Sequence, residues 1–344
     1  MPNELRAVAA RIEANPLGRL MYGQRELFHS NLIGWFFDEL PQAADAVFRA
    51  LATAGADSDR FVERERKNMD LVFHWRDRAP LIVENKVFSL PQKKQLDGYE
   101  AATATWKHAP ALVLLSVSAP GFALGRWQYL SYRDLATRIR AALPDTATYE
   151  VETMRRYADL VDDMDRLIDA VEVRSDEERV WLPDSLMSAI SSSQMRAALH
   201  KARAQRVAGV LNDSLPDLGR QATCGMTKSQ PLVEVFEPVA VDGIDLRLGW
   251  QLQGEDFRRT AIYENEPHKG RADIAQRRRV RMSRKHPEFF TFPAQLPQTH
   301  AGGNEFNHFA PDSVLKYVKA KDITIAELKT AATAVHAELV ALRG

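Results

Sequence analysis

Asp70, Glu84 and Lys86 are the residues of this chain whose types and spacing could do chemistry together. Glu84 and Lys86 lie two apart in Leu81-Ile-Val-Glu-Asn-Lys-Val-Phe88, a run of branched apolar residues after Pro80 that reads as a largely buried strand. Side chains two apart leave the same face of a strand, and Asn85 between them points the other way. Ionised groups in such a strand need partners or a metal.

The strand before it supplies a partner. Residues 68–88 read as a β-hairpin, and a turn centred on Asp77 sets Asp70 opposite Glu84, Val72 opposite Ile82, Leu71 opposite Val83 and Phe73 opposite Leu81. One face is then apolar and the other carries the carboxylates. A slip that sets Leu71 against Glu84 mixes polar and apolar residues on both faces, so the first register is preferred. Directly opposed residues have Cβ atoms roughly 4.5–5.5 Å apart, and like charges at that distance repel. A hard divalent cation relieves this, because Mg²⁺ takes one or two carboxylates together with waters and substrate phosphates. Lys86 can orient a water or stabilise charge on a phosphate. The chemistry is metal-assisted hydrolysis of a phosphodiester.

Asp70 followed by Glu84-Asn85-Lys86 resembles the PD-(D/E)XK nuclease superfamily, marked by an acidic residue on one strand and Glu-x-Lys on the next. Gln95-Leu-Asp-Gly-Tyr99 is similar to the Gln-x-x-x-Tyr helix motif of several of its branches. Glu26-Leu-Phe-His-Ser30 looks like the acidic residue on the helix before the core sheet. Met69 stands where the motif name has proline, a position that carries no ligand. The resemblance implies a restriction-endonuclease-like α/β fold, a mixed sheet flanked by helices. It implies Mg²⁺ or Mn²⁺ held by Asp70, Glu84, the Asn85 backbone carbonyl and Glu26, with Gln95 and Tyr99 in support. It also favours DNA over RNA, and a role in defence against foreign DNA is an analogy with other members. Two other readings remain open: a catalytically silent module that binds nucleic acid or protein, and an RNA-directed nuclease.

The positioning elements are legible around these residues. Residues 3–14 and 24–39 read as helices, Phe61–Arg66 as the first strand, and Ala111–Ser118 and Trp127–Tyr132 as later strands, with a helix from Asp134 to Leu143. This order suits a mixed sheet with helices on both faces. Between them, Ser89 with Gln92 matches a capping box and Pro91 fits a first turn, predicting a helix from Pro91 to about Trp106. On that helix Gln95 and Tyr99 share a face, and Lys93 and Lys94 could meet phosphates.

The remainder divides by pattern into a core over residues 1–150, a helical bridge over 151–224 and a C-terminal α+β region over 225–344 that could bind substrate or a protein partner. Glu150–Val173 has helical periodicity, and 174–212 reads as helical with breaks at Pro183 and Ser191-Ser-Ser193. From Pro231 the pattern changes to strands at Leu232–Val241, Ile244–Gln253 and Arg258–Glu264, with Asp242-Gly243 as a hairpin turn. The stretch Lys269–Lys285 holds Arg277, Arg278, Arg279 and Arg281 against Asp273, and such a run could neutralise several phosphates. Phe289-Phe-Thr-Phe292 reads as a buried strand or as a stacking surface for bases. The segment Gly302–His308 suggests no mechanism.

Composition sets limits. The 344 residues carry 46 basic and 46 acidic side chains, so a nucleic-acid surface must be a local patch. A single cysteine, Cys224, excludes a disulfide framework and a cysteine-based zinc site and fits a cytoplasmic protein. No apolar run approaches the roughly 18–20 residues that span a bilayer. Phosphate-binding Gly-x-x-x-x-Gly-Lys, His-Glu-x-x-His and Gly-x-Ser-x-Gly are all missing. One active site per chain could nick a strand, and a double-strand cut would call for a homodimer.

Overall fold

The computed structural model describes residues 2–24, 26–48, 50–51, 59–66, 69–76, 79–87, 89, 91–215, 221–227, 230–264, 272–294, 296 and 312–341. These residues fall into two compact units, where the sequence suggested three regions. Residues 1–171 with 183–202 make the first, and 172–182 with 203–344 the second.

In the first unit, helices α1 (Pro2–Ala14), α2 (Pro16–Gln24), α3 (Glu26–Glu39) and α4 (Pro41–Phe48) precede a five-stranded sheet. Its strands follow chain order: β1 (Arg60–Arg66), β2 (Met69–Trp75), β3 (Leu81–Lys86), β4 (Ala111–Ser116) and β5 (Gln128–Ser131). β1, β2 and β3 pair antiparallel, and β3, β4 and β5 pair parallel. The parallel step needs a crossover, supplied by α5 (Lys93–Thr103). The hairpin register is the expected one, Leu71 with Val83, Val72 with Ile82 and Phe73 with Leu81. Its turn residues 77–78 lie outside the described residues.

The two faces of this sheet have different covers. Leu71, Phe73, Leu81, Val83, Val113 and Leu115 are buried on one. Val72, Ile82, Leu112 and Leu114 pack on the other with Leu96 and Tyr99 of α5 and with Trp127. The helix α5 begins two residues later than expected and without the capping box. Gln92 is its N-cap, still extended (φ −124, ψ 123), and no side chain caps it.

Helices α6 (Tyr132–Ala142) and α7 (Tyr149–Asp169) complete this unit's core. Ser131 caps α6 by accepting from Asp134 N at 3.0 Å. In α7 the buried positions Val151, Met154, Tyr157, Val161, Met164 and Ile168 recur at three or four residues, the stripe of a helix with one apolar side. The expected bridge is therefore divided, residues 151–171 and 183–202 belonging to the first unit and 172–182 and 203–224 to the second. Helix α8 (Asp184–Met187) follows Pro183, and α9 (Ser193–Ser214) is divided between the units after Ala202.

The second unit is built on an antiparallel meander of β6 (Thr223–Thr227), β7 (Gln230–Val241), β8 (Ile244–Gln253), β9 (Asp256–Tyr263) and β10 (Ser313–Lys319). Asp242 (φ 51) and Gly243 (φ 72) form the β7–β8 turn, both left-handed as a two-residue hairpin turn requires. The helices α10 (Ala272–Lys285) and α11 (Ile325–Ala341) flank β10 in sequence. Val235, Trp250, Phe257 and Ala261 of the sheet share a core with Ala204 and Val207 of α9 and Leu328, Ala332 and Val335 of α11.

Two C-terminal expectations are corrected. Phe289 and Phe290 lie in a 3-10 turn, buried in this core, so they form neither a strand nor an open stacking surface. The basic run is helical from Ala272 to Lys285 and meets an acidic residue from outside it. Asp242 takes Arg281 at 3.2 Å and Lys285 at 3.6 Å. The Gly302–His308 segment lies outside the described residues.

Candidate active site

Glu84 and Lys86 leave the end of β3 on the face covered by α5, as the two-residue spacing requires. Continuing the β2–β3 register by one residue beyond Leu71 and Val83 sets Asp70 opposite Glu84. Glu84 is 1 % exposed. Its Oε1 stands 2.6 Å from Lys86 Nζ and accepts from Gln95 Nε2 at 2.9 Å. Gln95 Nε2 also donates to the Tyr99 hydroxyl at 2.7 Å, so the pair one turn apart on α5 acts as one brace.

The other oxygen of Glu84 is different. Oε2 is buried and has no hydrogen-bond partner. Burial, reinforced by the charge of Asp70, pushes the Glu84 carboxyl up to about 7 against the pull of Lys86. Burial and the Glu84 charge likewise push the Tyr99 hydroxyl up to about 12. A carboxylate held in this way, beside a second carboxylate and with one oxygen unanswered, gains from a cation.

Asp70 is set by the backbone of the neighbouring strand: Asn85 N donates to its Oδ2 at 2.7 Å. Asn85 is fully buried on the opposite face of the sheet. Its Nδ2 donates to Ser30 Oγ of α3 at 3.3 Å, and its Oδ1 accepts from the hydroxyl of Tyr132 at the start of α6. The peptide that holds Asp70 is thus locked from behind by two helices. The sequence analysis placed Asn85 on this face but missed the clamp. The available signal was a lone amide among the apolar residues of that face.

His29 lies behind the sheet as well. It is fully buried, its Nδ1 is 3.1 Å from the Tyr157 hydroxyl, and burial pulls it down to about 3. Glu26 is the first residue of α3, but its side chain lies outside the described residues. Among the described residues no group of three or more His, Cys, Asp and Glu side chains gathers as a metal cluster. The pair Asp70 and Glu84 is what the sheet brings together.

The expected phosphate contacts are placed less uniformly. Lys93 is exposed and paired with Asp97 at 2.7 Å, and Lys94 is exposed on the same helix. On α10, Arg277 is exposed, whereas Arg278 is 6 % exposed with its guanidinium 4.3 Å from the Tyr263 ring. Burial takes Arg278 out of the expected phosphate-binding set, and Asp242 occupies Arg281. The Arg279 side chain lies outside the described residues.

Residues 17–140 match the family model of the PD-(D/E)XK nuclease superfamily, which spans α2 through most of α6 and contains Asp70, Glu84, Lys86, Gln95 and Tyr99. No curated protein and no solved structure matches the chain. No helix among the described residues is long and apolar enough to cross a membrane.

Proposed function

We propose that residues 17–140, a PD-(D/E)XK nuclease superfamily domain, are the catalytic part of a divalent-metal-dependent nuclease that hydrolyses phosphodiester bonds, with DNA as substrate. The observation that carries this reading is the buried, unpartnered Oε2 of Glu84 beside Asp70. An all-oxygen donor set of this kind suits Mg²⁺ or Mn²⁺. Asp70, Glu84 and the Asn85 carbonyl would hold the ion, with Glu26 as an accessory ligand. When bound, it supplies charge stabilisation to the phosphate and an acidified water.

The protein's own groups do the rest. Lys86, 13 % exposed beside Glu84, orients the attacking water and stabilises the negative charge that grows on the phosphate. Gln95 and Tyr99 hold Glu84 in place, and Asn85 holds Asp70. Lys93 and Lys94 flank the site on α5 as phosphate contacts. In the second unit, Arg277 is a solvent-facing basic residue for a nucleic-acid strand, and residues 225–344 serve substrate or partner binding. A role in defence against foreign DNA fits this chemistry.

The test is cleavage of supercoiled plasmid by the purified protein with Mg²⁺ or Mn²⁺, beside EDTA, Asp70→Ala and Lys86→Ala. Metal-dependent nicking is expected, lost by at least ~10²-fold in both variants, the usual scale for removing a positioned catalytic group. Linearisation without prior nicking would report two sites acting together, hence two copies of the chain. Cleavage of an RNA panel in place of DNA would move the substrate. No cleavage of either by a folded protein would overturn the enzyme and leave a binding module.

A further inference from the structure

On the face of the first sheet that carries Asp70 and Glu84, a row of rings lies along β1 and β2. Phe61 and His74 are register partners, and their rings stack at 4.4 Å and 11°. His74 continues to Trp106, just beyond α5, at 6.5 Å and 24°. The Arg66 guanidinium lies 5.2 Å from the Trp106 ring. The backbone of Arg66 pairs in register with Met69, the neighbour of Asp70, while its guanidinium reaches back to Glu63 and Trp106. His74 lies four steps along β2 from Asp70, about 13 Å at ~3.3 Å per residue.

The outer end of this row is open. Phe61 is 54 % exposed, a large apolar ring at the sheet edge with one side packed on His74. Glu63 binds both Arg66 and His74, its oxygen 2.6 Å from His74 Nε2, which fixes the ring and the guanidinium and answers the acidic charge within the row. Burial lowers the His74 pKa from its ordinary value although Glu63 raises it. The open π-face of the row is therefore that of Phe61, with the Arg66 cation beside Trp106.

We propose that Phe61, His74, Trp106 and Arg66 form a stacking shelf for an unpaired nucleobase of the substrate strand, which makes single-stranded DNA the preferred substrate. The inference rests on the nuclease reading of Asp70 and Glu84. Bases inside a duplex have both faces covered by their neighbours, so an exposed ring selects a base outside the helix. Stacking on aromatic side chains tolerates any base, and an adjacent guanidinium adds a cation for the backbone or the ring. The shelf lies on the same sheet face as the scissile centre and about 13 Å from it along β2, which suits a base a few nucleotides from the bond that is cut.

Binding is measured in the Asp70→Ala background, so that it does not depend on cleavage. Fluorescence anisotropy with labelled 12-mer single-stranded and blunt duplex DNA compares that protein with versions also carrying Phe61→Ala or Trp106→Leu. The expected result is tighter binding of the single strand, weakened about five-fold or more by Phe61→Ala, with duplex binding changed less than two-fold. In the otherwise native protein, Phe61→Ala should raise KM for the single strand and leave kcat within two-fold. Equal affinity for both DNAs, or equal loss on both, overturns the shelf. Phe61→Tyr, which keeps a stacking ring, should restore binding; failure to restore it also overturns the shelf. Loss of cleavage without loss of this binding pattern would instead count against the catalytic reading alone.

Discussion

Each unit has a five-stranded sheet that buries a charge in contact with an opposite one, and the two differ in what else is placed beside it. In the antiparallel sheet, Arg259 is 1 % exposed, and its Nη1 donates to Thr291 O at 2.7 Å and to Glu338 Oε2 at 2.8 Å. Burial lowers its pKa and Glu338 opposes the shift, so an opposite charge answers it. In the mixed sheet, Glu84 is equally buried but faces the like charge of Asp70, and one of its oxygens has no partner. A buried charge alone therefore does not locate a functional site. Each has an opposite charge in contact, Lys86 at 2.6 Å and Glu338 at 2.8 Å, and each keeps one buried atom without a partner, so what separates them is the second, like charge that Asp70 sets beside Glu84.

The largest effect should come from making Glu84 neutral while keeping its shape. Glu84→Gln removes the repulsion with Asp70 and should leave the metal-free protein at least as stable in urea denaturation. Cleavage should nevertheless fall by ~10²-fold or more, because a carboxylate is lost where the cation and the phosphate charge must be held. A variant that is destabilised and fully active would place Glu84 with Arg259, as a structural charge.

His29 sharpens the same contrast, because it is a buried base with no countercharge. Its folded pKa of about 3 lies below the ordinary value of 6.5, so the unfolded chain takes up the proton first. The stability it contributes is complete above pH 6.5 and is lost as the pH falls from about 6.5 towards 3. A displacement of that size corresponds to roughly 5 kcal/mol at most. His29→Gln should flatten this part of the urea-stability profile between pH 7.5 and 4. An unchanged slope would show that His29 is not the group responsible for acid lability.

Much of the site was legible because strand geometry is strict. A period of two fixes which side chains share a face, so the register followed from the apolar pattern of residues 71–73 and 81–83, and with it the opposition of Asp70 and Glu84. The turn at Asp242-Gly243 was legible for the same kind of reason, since few residues accept its left-handed backbone. Contacts made across the fold were not. Nothing near Asn85 in sequence announces Ser30 or Tyr132, and nothing near His74 announces Trp106. Capping also failed as a local signal. Ser89 and Gln92 fit the box, yet the chain is still extended at Gln92 as it comes off β3. The box that does form, Thr324 with Glu327 at the head of α11, was not read. There Thr324 N donates to Glu327 Oε2 at 2.8 Å and Glu327 N to Thr324 Oγ1 at 3.2 Å.

The smallest expected effect tests the answered charge directly. Glu338 is 42 % exposed, so Glu338→Ala removes little buried volume of its own. It leaves the Arg259 guanidinium in the core with the Thr291 carbonyl as its remaining acceptor from Nη1. An uncompensated buried charge costs about 3 kcal/mol, a large part of the 5–15 kcal/mol that holds an ordinary domain together. Urea denaturation should show that loss, and Glu338→Gln should show less of it, because an acceptor remains without the charge. Cleavage per folded molecule should be unaffected, since Glu338 lies outside residues 17–140, which match the nuclease family model. If Glu338→Ala is neutral, Arg259 is held without its countercharge, and the presence of a like charge at Glu84 would not be what distinguishes the two sheets.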